Sequence, residues 1–136
     1  MEKSNVLFLL TPKTRVACLN DSMNVRQALE KMKAHGYSAI PLIAAEDGRY
    51  LGTISEGDLL WRIVSEEEIT MEGLEDIRIT DLLKKGKVPA VKVDADASEL
   101  ADMIINQNFV PVIDDRGVLM GIVTRKRVMQ ELLGKE

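Results

Sequence analysis

The chain has one cysteine, Cys18, and one histidine, His35. No disulfide can form within it, and no Cys/His metal cage can be built. A Cys-His nucleophile pair stays formally open. But Cys18 sits in the strand-like run Val16-Ala17-Cys18-Leu19, where a cysteine is ordinary packing, and His35 lies in a polar helix end where a solvated side chain is expected. Long apolar runs are missing too. Val6-Leu7-Phe8-Leu9-Leu10 is too short for a signal-peptide core and far too short to span a bilayer. A soluble, cytoplasmic protein with no membrane partner is expected. Positive net charge is also lacking. At −4, and with no helix-turn-helix signature, the chain offers no general attraction for nucleic acid. No carboxylate pair, metal cage or triad is legible, so neither an enzyme nor a cofactor is expected. There is no Gly/Ser or Pro tract and no low-complexity segment.

What is present is a repeat. Ile40-Pro41-Leu42-Ile43, a polar turn and Gly52-Thr53-Ile54-Ser55 recur as Val110-Pro111-Val112-Ile113, a polar turn and Gly121-Ile122-Val123-Thr124. The prolines lie 70 residues apart and the glycines 69, so the second turn is one residue shorter. Before each proline runs an amphipathic pattern: Val25, Ala28, Leu29, Met32, and then Ala97, Leu100, Ala101, Ile104. A chain of 136 residues with 46% apolar content is long enough for two such units, each burying apolar faces it cannot cover alone.

Each repeat reads as strand, helix, strand, strand, helix. In the first, these are Val16 to Leu19, a helix from Asn24 to about His35-Gly36, Ser38 to Ile43, Tyr50 to Ser55, and a helix from Gly57 to Val64. Asn24 with Gln27 forms a capping box, Gly36 suits a left-handed C-cap, and Asp47-Gly48 marks a hairpin. In the second, Val88 to Val93 opens, Asp96 with Glu99 caps a helix, Phe109 to Ile113 and Val118 to Thr124 pair around Asp114-Asp115-Arg116-Gly117, and a helix runs from Lys126 to Leu133. The repeats span 1–65 and 81–136. Residues 66–80 form a packed linker in the acidic-then-apolar stretch Ser65 to Lys87, with a helical piece at Ile79 to Lys84. Arg125-Lys126-Arg127 is a compact basic run; such runs are usually solvated, or this one meets Glu66-Glu67-Glu68 across a dimer.

The tandem of helix, h-P-h-h and Gly-h-h-Ser/Thr (h, apolar) resembles a pair of CBS domains, a Bateman module, over nearly the whole chain. The resemblance implies an α/β fold of two CBS repeats related by a pseudo-twofold axis, a homodimer, and two clefts that take adenine nucleotides to regulate an effector protein. With no fused effector domain, the signal would pass to a separate protein. The family's ribose pattern is Gly-h-h-Thr/Ser-x-x-Asp. Gly52 to Asp58 matches it at Ser55 and Asp58, whereas Gly121 to Arg127 matches at Thr124 and puts Arg127 where the aspartate belongs. The family's clefts are shared between repeats. So Ser55 and Asp58 are expected to face Pro89, Ala90, Phe109 and Val110. Thr124, Arg125, Lys126 and Arg127 are expected to face Arg15, Ala17, Tyr37, Ser38, Ala39 and Ile40. Tyr37 before the strand and Thr-Arg-basic after Gly-h-h resemble the small stand-alone CBS-pair proteins of Firmicute bacteria that bind cyclic di-AMP. A mononucleotide such as AMP, ADP or ATP is the alternative ligand, in the Ser55/Asp58 cleft, and an empty structural dimerisation module is another. The apolar residues Leu59, Leu60 and Ile63, and Val128, Met129 and Leu132, are expected to form a dimer surface.

Overall fold

A computed structural model describes residues 6–65, 70–83 and 89–134. The chain divides into two compact units. The central unit is Ala17–Lys87, and the flanking unit joins Met1–Val16 to Val88–Glu136.

The central unit holds β2 (Leu19–Asn20), α2 (Val25–His35), β3 (Ala39–Ile43), β4 (Tyr50–Ser55), α3 (Glu56–Val64), the short α4 (Met71–Leu74) and a 3-10 turn at Ile79–Leu82. β3 lies between a parallel β2 and an antiparallel β4. The period of α2 puts Val25, Ala28 and Met32 inward, where they pack with Leu19, Ile40, Leu42, Ile54 and Leu59. Between the repeats, Leu74, Ile77, Ile79 and Leu82 all join this core. Its helical piece ends at Leu82; Lys84 and the run Glu66-Glu67-Glu68 lie outside the described residues.

The flanking unit holds α1 (Val6–Leu9), β1 (Thr11–Pro12), a 3-10 turn at Lys13–Arg15, β5 (Val91–Lys92), α5 (Ala97–Asn106), β6 (Phe109–Ile113), β7 (Leu119–Thr124) and α6 (Arg125–Leu132). Its sheet order is β1-β7-β6-β5. The N-terminal segment thus belongs to the unit of the second repeat, whereas the 1–65 boundary grouped it with the first. β1 pairs antiparallel with β7, and Val6 and Leu9 are buried with Val91, Leu100, Ile104, Val110 and Val123. The otherwise open β7 edge is closed by this strand.

The two hairpins share one register. Pro41 pairs Thr53 and Pro111 pairs Ile122, and both ladders shift after Leu42 or Val112. The missing residue is absorbed in the turn, so the ladders stay equivalent. The prolines recur for a reason. β2 reaches only Leu42 and Ile43, and β5 only Val112 and Ile113, so each proline sits where one flank of its strand lacks a ladder partner.

Several boundaries move. The opening strand is Leu19–Asn20, not Val16 to Leu19, because the Val16 N–H closes the 3-10 turn onto the Lys13 carbonyl (3.0 Å). Likewise β5 is Val91–Lys92, with Val88 outside the described residues. In α5, Leu100 and Ile104 are buried but Ala101 is exposed. The terminal helices start one residue early, at Glu56 and Arg125, because Ser55 and Thr124 are themselves their N-caps.

Candidate nucleotide-binding turns

Each unit ends its hairpin in a strand-to-helix turn carrying the repeat's hydroxyl. In the central unit, Ser55 Oγ accepts the Asp58 N–H (3.1 Å) and Asp58 Oδ2 accepts the Ser55 N–H (2.8 Å). The ribose pattern is thus also a reciprocal capping box, which explains locally why a hydroxyl and a carboxylate recur at this spacing. Among the described residues only Oδ2 of Asp58 is used, and the residue is exposed, so the other oxygen can accept from a ligand.

In the flanking unit, Thr124 Oγ1 accepts the Arg127 N–H (3.1 Å), but Arg127 cannot return the bond. Its guanidinium instead reaches Glu131 (3.3 Å) and the Phe8 carbonyl (3.4 Å). Lys126 is exposed, as is Arg15, whose 3-10 turn packs on β7. The structure thereby brings Arg15 together with the Thr124–Arg127 turn in one unit. Arg125 differs from the other cations. Its guanidinium donates to the carbonyls of Ile104 (3.1 Å), Ile105 (3.3 Å) and Gln107 (3.0 Å) at the end of α5. Two of its three guanidinium nitrogens, Nε and Nη2, are thereby engaged with backbone carbonyls.

The segments expected to hold a base precede β3 and β6. The Glu56 N–H donates to Ser38 O and the Arg125 N–H to Asn108 O, both at 2.9 Å, so each helix start is tied to the segment beside it. Ala39 pairs Ser55 and Phe109 pairs Thr124 directly across the ladders. Ile40 and Val110 are fully buried. Tyr37, Ala39, Ala90 and Phe109 are half-buried, and Ser38 and Pro89 exposed. Of the expected residues, Ala17, Tyr37–Ile40, Ser55 and Asp58 lie in the central unit; Arg15, Pro89, Ala90, Phe109, Val110 and Thr124–Arg127 lie in the flanking one.

Tyr37 also lines a groove between α2 and α3 of about 420 Å³, walled by Leu29, Met32, Leu60 and Ile63. Its ring lies 5.4 Å from that of His35. Leu59 and Val128, expected on a dimer surface, are 2% exposed and belong to the cores, where the helix period turns them inward. Of the expected residues Leu60, Met129 and Leu132 are exposed, and on α3 Trp61 and Val64 are exposed with Leu60. Cys18 precedes β2 and its carbonyl accepts from Lys31 Nζ (2.6 Å), while His35 is exposed. Among the described residues no cluster of His, Cys, Asp and Glu is able to hold a metal, and no helix is long and apolar enough to cross a membrane.

One residue escaped the sequence reading. Gln107 Nε2 donates to the carbonyls of Pro89 (3.3 Å) and Phe109 (3.1 Å), stapling two segments of the expected base pocket. The available signal was the missing glycine after α5, where α2 has Gly36.

The family model of the CBS domain matches residues 9–65 and 77–134. Cyclic di-AMP receptor B of Bacillus subtilis is 30% identical over 118 residues, spanning 87% of this chain and 79% of the relative. An uncharacterized protein of Methanopyrus kandleri is 26% identical over 102 residues, and this chain spans about half (49%) of its length. Among solved structures, CbpB of Listeria monocytogenes in complex with c-di-AMP superposes with a TM-score of 0.84 at 26% identity, over 95% of both chains.

Proposed function

Because the chain belongs to the CBS-domain family, matched in both repeats, we propose that it is a cytoplasmic nucleotide sensor that binds one cyclic di-AMP per chain at the Thr124–Arg127 turn and signals, as a homodimer, to a separate effector protein. One observation carries the choice of ligand: Arg127 replaces the carboxylate that closes the equivalent turn at Asp58. In a 3′,5′-cyclic dinucleotide each ribose keeps only its 2′-OH, so a carboxylate there loses one hydroxyl partner and repels the phosphodiester. Arg127, Lys126 and Arg15 reverse the local field and suit two phosphodiester charges, with Arg able to grip phosphate oxygens in pairs. The family resemblance gives Tyr37 the role of stacking on an adenine and the backbone of Ala17, Ser38 and Ala39 that of reading its edge. The similarity to cyclic di-AMP receptor B and CbpB supports the same ligand class.

The second reading, a mononucleotide at Ser55 and Asp58, is favoured by the intact capping carboxylate with one oxygen to spare. Calorimetric titration with cyclic di-AMP and AMP side by side tests both. Cyclic di-AMP is expected to bind more tightly, with Tyr37→Ala and Lys126→Ala each weakening it tenfold or more, about 1.4 kcal/mol. Tighter AMP binding, or normal cyclic di-AMP binding by both variants, sinks the first reading.

A further inference from the structure

The two units end their first long helix differently. α2 stops at Gly36 in the left-handed region (φ 68°), and the N–H groups of Gly36 and Tyr37 return to the carbonyls of Lys33 and Met32. α5 has no glycine; Gln107 follows in extended conformation (φ −132°, ψ 143°), which offers the last carbonyls no such backbone return. Arg125 supplies the donors, to Ile104, Ile105 and Gln107. Its own N–H holds the Asn108 carbonyl, and the Gln107 side chain carries the connection on to Pro89 and Phe109. The central unit has Glu56 where Arg125 stands. Glu56 keeps the backbone bond to Ser38 at 2.9 Å, but a carboxylate cannot donate to helix carbonyls.

We propose that Arg125 is a positioning residue that couples ligand binding at the Thr124–Arg127 turn to ligand binding at the Pro89–Phe109 segment, through Gln107. The proposal rests on the reading of these two segments as parts of different nucleotide sites. A phosphate held at the turn fixes the first residue of α6 and with it the three carbonyls that Arg125 grips. A base held beside Phe109 fixes the other end of the same run. Each ligand therefore orders part of what the other needs ordered, and each raises the other's affinity. The central unit, with a self-sufficient glycine cap, has no counterpart of this connection among the described residues.

The test is calorimetry on the full chain with cyclic di-AMP and AMP, each titrated alone and against a saturating amount of the other. The wild type is expected to show a reciprocal enhancement of about fivefold or more. Arg125→Ala is expected to bring that factor to one. Gln107→Ala, which leaves the Arg125 grip on α5 in place, is expected to do the same while keeping the affinity for cyclic di-AMP alone; it decides the matter if Arg125→Ala does not fold. A residue needed only for stability would lower the melting temperature and leave the factor unchanged. A factor of one in the wild type, mutual displacement of the two ligands, or a factor that survives in Gln107→Ala overturns the coupling and leaves nucleotide binding standing. Failure of the wild type to bind either nucleotide overturns both.

Discussion

Ser55 and Asp58 satisfy each other before any ligand arrives. A substitution there is read twice, once in stability and once in affinity. Asp58→Ala is expected to weaken AMP by about 1.5–3 kcal/mol through loss of a charged acceptor for the ribose hydroxyls. Ser55→Ala is expected to cost about 0.5–2 kcal/mol of stability with no ligand present, as for other N-cap losses, measured by urea denaturation. Equal AMP affinities for the wild type and Asp58→Ala would show that the carboxylate serves the helix alone. Tyr50 gives a pH signature. Burial pushes its phenol up from 10.0 to about 12, against a smaller opposing effect of its hydrogen bond to Thr53 (2.8 Å). The protonated form is the one the fold favours. Below pH 10 both states carry the proton and the contribution is fully present. As pH rises from 10 toward 12 the unfolded phenol ionises first, and stability falls. Denaturation across that window is expected to cost the wild type about 1–2 kcal/mol more than Tyr50→Phe; parallel profiles would place the phenol in water.

At the scale of elements, the capping residues and hydrophobic periods were readable, because helix starts and inward faces are decided within a few residues. Asn24 with Gln27, Asp96 with the Glu99 N–H, and the Gly36 C-cap all appear at the positions their spacing indicates. The short strands β2 and β5 were not, since each exists only over the two residues that its parallel neighbour reaches. The N-terminal strand β1 is a purely tertiary element. It pairs with β7 beside Gly121, where a Cβ would run into the Thr11 carbonyl oxygen. Gly121→Ala is therefore expected to destabilise the flanking unit by about 1–3 kcal/mol, as overpacking does, with hydrogen exchange at the Thr11 amide, the single N–H of β1, rising more than at β6. Unchanged protection of β1 would mean that the strand does not depend on this close approach.

At the scale of the whole molecule, the proposed homodimer would cover exposed apolar residues of the terminal helices. Leu60 (56%), Trp61 (72%) and Val64 (58%) are exposed together on α3, and Met129 (53%) and Leu132 (62%) on α6, so neither helix carries only a single stray apolar side chain. Light scattering is expected to find a dimer at micromolar concentration, and Trp61→Glu combined with Leu132→Glu to give a folded monomer. A wild-type monomer would remove the dimer from the proposal. The sole tryptophan makes Trp61 emission a direct readout, expected to shift to the red when the partner leaves.

By itself the sequence determined the repeat, the helix caps, the two hairpins and the hydroxyl at each turn, because periodicity, capping spacing and the proline and glycine positions are local properties of the chain. Only the tertiary structure decided where the N-terminal segment packs, which residues of the terminal helices remain exposed, and what Arg125 does. A run of three basic residues reads as one cationic patch, but their directions depend on neighbours distant in sequence. The carbonyls at the end of α5 lack a glycine cap and take up the Arg125 guanidinium from about twenty residues away, while Lys126 and Arg127 stay at the surface, Lys126 exposed and Arg127 partly so.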